Sequence, residues 1–339
     1  MKSCFLCEPG WDDPTWPTPA KGKFLTTAFI IRLLLLFLGW AAPNRGFAQV
    51  ALPASPLAQV QALHLPAALD QPVAVYYVPG YETRALALRH LMQEVKTFYQ
   101  QQLQLDVPFS LAVLDSARWT SIYSEQGRPF YGVPWVSKKP YVAFLPATGG
   151  RINEQLAAVE EKRRANPKKP VDSRRFAYGG TKLGVPDLIG IHELGHAYTD
   201  AYGINLQVAW LRELVATYFC YAYLRQQLPP QAAGWEAANH LFYRNVKPTY
   251  TSLADFDRLY FGVGPDNYGW YQAYFQQQVE HVYREQGLGF LRALPHAFPM
   301  SEPPVTDGEE ALTRVEKICP GFRAWAAAGK GAAPQTGKN

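Results

Sequence analysis

Sulfur is scarce in this 339-residue chain, with four cysteines and three methionines, and histidine is rare at seven. So few cysteines leave no disulfide framework to read. Cys4 and Cys7, in "CFLC", are spaced like a redox or metal pair but sit at the extreme N-terminus. Cys220 and Cys319 remain, and the sequence leaves one disulfide and two buried thiols equally open. Charge is modest at 18%, and the formal net charge is +5. Residues 1–48 hold five bases against three acids and so carry +2 of it, which leaves +3 for the rest. That balance is too weak to argue for a nucleic-acid partner. No internal repeat is apparent. With 48% hydrophobic residues the composition is that of an ordinary globular protein, neither disordered nor fibrous.

One long apolar run is present, and it lies at the N-terminus. "KFLTTAFIIRLLLLFLGWAA" follows Lys21 and leads to "GFAQ", where Gly46 and Ala48 suit a signal-peptidase site before Gln49. Residues 1–48 therefore read as a signal peptide, which places the mature protein outside the cytoplasm, secreted or periplasmic. The alternative is an uncleaved N-terminal membrane anchor, which Arg32 near mid-span and the short run Leu33–Leu38 disfavour. No stable membrane anchor is expected after cleavage.

Residues 49–71, rich in Ala, Pro and Leu, read as a linker. Strands are expected at "VAVYYV", "FSLAVL", "FYGVPWV" and "YVAFLP", the last two divided by the turn "SKKP". A helix is expected over 82–103, with Leu86, Leu91, Val95 and Phe98 near one face. "INEQLAAVEEKRRA" reads as an exposed helix and "NPKKPVDSRRFAYGG" as a solvated basic loop. Beyond Pro186 the pattern is almost wholly helical. Strands first and helices after is the ordering of an α+β protein. The chain divides into a sheet-containing half, 72–203, a helical half, 204–328, and a disordered tail, 329–339.

The rare histidines are not scattered. "GIHELGHAYTDAYG" sets His192 and His196 four residues apart in an expected helix, with Glu193 beside the first. Positions i and i+4 share a helix face, so two imidazoles stand side by side next to a carboxylate. That is the H-E-x-x-H pattern of a zinc site, with two nitrogen ligands and a base for a metal-activated water. A third ligand is needed, and Glu213 stands seventeen residues beyond His196 in a second amphipathic helix, "NLQVAWLRELVATYF". Its neighbours Trp210, Leu211, Leu214, Val215 and Ala216 are apolar, and a carboxylate buried among them needs a partner. Asp200 and Thr217 are candidates to orient the histidine ligands.

H-E-x-x-H followed by "WLRELVATY" resembles the gluzincin metallopeptidases, the group of thermolysin and the aminopeptidase N-like enzymes, where the second helix commonly reads W-L-x-E-G-x-A-x-Y. Leu214 stands in place of the glycine. The resemblance implies an α+β zincin (thermolysin-like) catalytic domain, a small mixed sheet with helices followed by a mainly helical C-terminal part. It also implies one Zn2+ per chain on His192, His196 and Glu213, Glu193 as general base, and a peptide or protein substrate. A tyrosine that stabilises the oxyanion is carried over to Tyr268 in "DNYGWYQAYF", with Tyr271 at the family's glycine position and the register open by a turn. The aminopeptidases of the group have an acidic residue before the metal helix that grips a free amino terminus. "FYGVPWVSKK" has none, so the expectation is an endopeptidase rather than an aminopeptidase. A zinc-binding relative without activity is the alternative.

Overall fold

Three hydrophobic strands and the first long helix set the frame. The computed structural model describes residues 55–122, 131–138, 140–148, 175–178 and 181–331, all within one compact unit, Pro53–Asn339. The expected signal peptide, the exposed helix after Ile152 and most of the basic loop lie outside the described residues.

The elements run α1 (Pro56–Ala62), β1 (Ala67–Ala68), β2 (Ala74–Tyr77), α2 (Glu82–Leu103), β3 (Phe109–Leu114), α3 (Ser116–Trp119), β4 (Trp135–Val136) and β5 (Tyr141–Pro146). A two-stranded ribbon, β6 (Arg175–Tyr178) and β7 (Thr181–Gly184), precedes α4 (Val185–Ala201) and α5 (Ala209–Gln227). Then come α6 (Pro229–Asn245), α7 (Leu253–Leu259), a 3-10 turn (Tyr260–Val263), α8 (Pro265–Gln286), α9 (Gly289–Ala297), α10 (Gly308–Ile318) and α11 (Phe322–Gly331). The protein is mixed α+β and mostly helical, as the order of strand and helix signals implies. Among the described residues no helix is long and apolar enough to cross a membrane.

The main sheet has the order β1-β2-β3-β5-β4. β2, β3 and β5 are parallel, with Val75 opposite Leu111 and Leu111 opposite Ala143, while β1 and β4 pair antiparallel at the two edges. Period-two alternation assigns each strand residue to a face. Leu111, Val113, Ala143 and Leu145 join the main core with α2, α4 and α5, and Ala112, Leu114, Val142 and Phe144 pack against Val60 and Trp119 on the other side. Both faces are covered, so β5 is buried along its whole length and reads as an unbroken apolar run.

Three local readings shift. The segment 49–71 supplies α1 and the edge strand β1; Ser55 caps α1 by accepting from Ala58 N, and Pro56 suits its first turn. In α2 the buried line runs through Leu88, Leu91, Met92, Val95 and Phe98, with Leu86 only half-buried. The end of the basic loop pairs as β6, register Arg175 to Gly184. Cys220 and Cys319 are buried free thiols.

Two features fix α4. Arg84 of α2 donates to Asp187 in the first turn of α4, with Nη2 2.5 Å from Oδ1, and to the Pro146 carbonyl at the end of β5. Asp187 also accepts from Gly184 N at 2.7 Å, which closes the helix start. Further along, Gly195 meets α5 with no room for a side chain. A Cβ there would lie 2.6 Å from the Ala216 carbonyl oxygen and 2.8 Å from its Cα. The glycine inside "HELGH" thus lets two helix backbones touch. Gly190 is as crowded, but by the tips of Leu145 and Met92, at 2.6 and 2.9 Å.

That contrast is testable by unfolding in urea. Gly195→Ala is expected to cost about 3 kcal/mol, the upper part of the overpacking range, because backbone cannot rotate away. Gly190→Ala should cost about 1 kcal/mol or less, since flexible side-chain ends yield and alanine favours the helix. Equal losses for the two variants would contradict a backbone contact at Gly195.

Candidate metal centre

The helical spacing delivers what it promised. His192 and His196 stand one turn apart on α4, ring centroids 5.0 Å apart and planes nearly perpendicular. With Glu193 they form a group whose ligand atoms all lie within 4.8 Å of one another, able to hold a metal ion. Glu213, from α5, closes the same site. Its Oε2 lies 3.3 Å from His192 Nε2 and its Oε1 lies 3.6 Å from His196 Nε2, so each imidazole faces its own oxygen of one carboxylate. The Gly195–Ala216 contact is what brings Glu213, one turn before Ala216, into reach.

Glu213 is 2% exposed, and a carboxylate so buried needs several donors. It has three besides the imidazoles. Tyr260 donates to Oε1 at 2.5 Å, Gln272 Nε2 to Oε2 at 2.8 Å, and Tyr268 to Oε2 at 3.2 Å. Burial alone would raise its pKa; the charge of His196, the bond and charge of His192 and the Tyr260 hydroxyl outweigh it and hold the group well below the usual carboxylate range.

The histidines divide. Burial lowers His196 to about 4 against the pull of Glu213, and the charges of His192, Arg212 and Lys138 push the same way. Burial also acts to lower His192, but its bond to Glu213 and the charges of Glu193 and Glu213 prevail and raise it. Thr217 Oγ1 lies 3.2 Å from His192 Nδ1. With Nδ1–H donated to Thr217, the Nε2 lone pair points at Glu213, and two electron-rich atoms at that separation need a cation or a proton between them. The donor set, two imidazole nitrogens and an anchored carboxylate, fits a divalent metal ion. Burial and the charge of Glu213 push Glu193 up to about 8, although His192 and the Val136 N–H act to lower it.

The residues named from sequence fall as follows. His192, Glu193, His196 and Glu213 come together. Tyr268, in the first turn of α8, reaches the site, but its hydroxyl is on Glu213. Tyr271 does not reach it: it is fully buried and donates to the Ser252 carbonyl at 2.8 Å. Thr217 contacts a histidine, whereas Asp200 is exposed. Tyr260 and Gln272 were not foreseen. Gln272 had a signal, standing four residues after Tyr268 on the same helix face. Tyr260 had none: it sits in a turn at φ 47° and ψ −113°, a strained position for a non-glycine residue.

Thr217→Val keeps the shape and removes the hydroxyl beside His192. Metal affinity, measured by competition with a chromophoric chelator, is expected to fall about tenfold, the low end for loss of a ligand's orienting partner. An unchanged affinity would show that Thr217 does not orient the imidazole.

Comparison with models of known families, with curated proteins and with solved structures gives no match, so the reading of this centre rests on the chain's own geometry.

Proposed function

We propose that this chain is an exported zinc-dependent metallopeptidase that hydrolyses peptide bonds within extended substrates. The observation that carries the reading is the convergence of His192, His196 and Glu213 with Glu193 set among them, on two helices locked together at Gly195. The two Nε2 atoms and the Glu213 carboxylate would hold the ion, and the three donors on Glu213 keep that carboxylate charged and still. Zinc bound there supplies Lewis-acid polarisation of the scissile carbonyl and makes water a better acid.

The chain's own groups do the rest. Glu193 takes the proton of the attacking water on its carboxylate and returns it to the leaving nitrogen. Tyr268 has the longest of the three bonds to Glu213, 3.2 Å against 2.5 Å for Tyr260. It is therefore the hydroxyl more readily transferred to a developing oxyanion, with Tyr260 left to hold Glu213. The edge strand β4 lies beside Glu193 through the Val136 N–H and suits an extended peptide backbone. A zinc-binding module without turnover is the second reading, and the engagement of both hydroxyls with Glu213 favours it.

Glu193→Gln separates the two readings. The amide keeps the shape but cannot accept a proton, so hydrolysis of a peptide library should fall at least about a hundredfold with zinc content unchanged. Tyr268→Phe should lower kcat by about ten- to a hundredfold with little change in KM. Cleavage by the Gln variant at the parental rate would remove Glu193 as the base, and a parent that binds zinc yet cuts nothing would leave the binding module.

A further inference from the structure

A cavity of about 540 Å³ opens where the starts of α5 and α10 meet α7 and α11, and none of His192, Glu193, His196 or Glu213 lines it. Its size is that of a small-molecule site. Leu253, Leu312 and the indole of Trp210 give it apolar walls, and Asp257 stands among them. Asp257 Oδ1 accepts from Trp210 N at 3.0 Å, which satisfies one of the free N–H groups at the start of α5 and ties that helix to α7.

Two polar groups in this cavity lack a complete set of partners. Trp210 is 1% exposed and lies on the cavity wall, yet among the described residues its indole N–H makes no hydrogen bond. A buried indole N–H ordinarily finds an acceptor. Asp257 makes no ion pair among the described residues, and the two arginines of the cavity are engaged elsewhere. Arg258 holds Asp255 at 2.9 Å and Arg323 holds Glu309 at 3.3 Å. Burial, and after it the charge of Asp307, push Asp257 up to about 6, although the N–H groups of Trp210 and Ala209 act to lower it. That is the behaviour of a carboxylate short of positive charge.

Gly308 keeps the space beside both groups open. A Cβ there would lie 3.0 Å from Asp257 Oδ2 and 3.6 Å from Trp210 Nε1. A ligand seated against Gly308 therefore has a carboxylate oxygen and an indole N–H within reach. The carboxylate calls for a cation, the indole for an acceptor oxygen, and the walls for an apolar body.

We propose that this cavity is a second ligand site, which takes a small apolar molecule carrying an ammonium group and a nearby acceptor oxygen, the pattern of an amino-acid amide. The ammonium pairs with Asp257, the oxygen accepts from Trp210 Nε1, and the apolar part packs on Leu253 and Leu312. The proposal is one of binding and stands whether or not the metal centre cuts peptides.

Titration calorimetry of the purified full chain with three probes tests it. Leucinamide has all three features, isoamylamine lacks the oxygen, and N-acetyl-leucinamide lacks the cation. Leucinamide is expected to bind about tenfold tighter than its acetylated form, the scale of a charge-assisted hydrogen bond, with isoamylamine between them. Asp257→Asn keeps an acceptor for Trp210 N and removes the charge, so the preference for leucinamide over the acetylated form should fall close to one. Ala254→Trp, at an exposed position on the cavity wall, fills the space and should abolish leucinamide binding with metal content unchanged. That variant decides the matter even if Asp257→Asn disturbs folding. Equal affinity for leucinamide and its acetylated form, or for leucinamide and isoamylamine, would overturn the proposal. So would leucinamide binding that survives Ala254→Trp and disappears only when a chelator strips the metal, since the ligand would then sit at the metal centre.

Discussion

A carboxylate buried at the contact between two helices has to be neutralised from several sides, and Glu213 imposes that demand on everything around it. Two imidazoles face it from α4, two tyrosines and a glutamine donate to it from the 3-10 turn and α8, and apolar residues of α5 shut out water. Removing one partner from such a group costs far more than the pair gains over a neutral replacement, because a buried charge is left behind. Gly195 lets the helices close enough to assemble the cluster, and Arg84 anchors the start of α4 to α2 and β5. The sheet contributes rigidity on one side and an edge strand beside Glu193 on the other.

The electrostatics follow from this crowding. Five titratable groups, His192, His196, Glu193, Glu213 and Tyr260, are packed together, and burial pulls each toward its neutral form. Glu213 resists because donors surround it, and His192 because it is bonded to that carboxylate. The centre therefore has one fixed negative charge, two imidazoles facing it and a second carboxyl beside them. A cation of small radius completes such a set with little rearrangement.

Much of this was legible in the sequence for a simple reason: each signal was local. Helix spacing joined His192 to His196, the apolar neighbours of Glu213 announced a buried acid, and the boundaries of α2 and β3 fell where periodicity and β-branched content put them. The helix–helix approach at Gly195 was not legible, since nothing in the chain states which glycine faces another backbone. Tyr260 was missed for a related reason, as its place depends on a strained turn. Thr217 was one of two named candidates, and only the rotation of α5 relative to α4 decided between it and Asp200. Within 49–71, the short helix Pro56–Ala62 and the edge strand Ala67–Ala68 were not legible because Ala and Pro, sparse in sequence signal, serve equally in a capped helix, an edge strand and a linker.

The central claim is that Glu213 completes a metal site with His192 and His196. Elemental analysis of the purified protein beside its Glu213→Ala variant tests it most directly. The account predicts one zinc per chain in the parent and a large loss in the variant, whose two remaining imidazoles hold an ion poorly. A parent free of metal, or a variant that retains full occupancy, would contradict it.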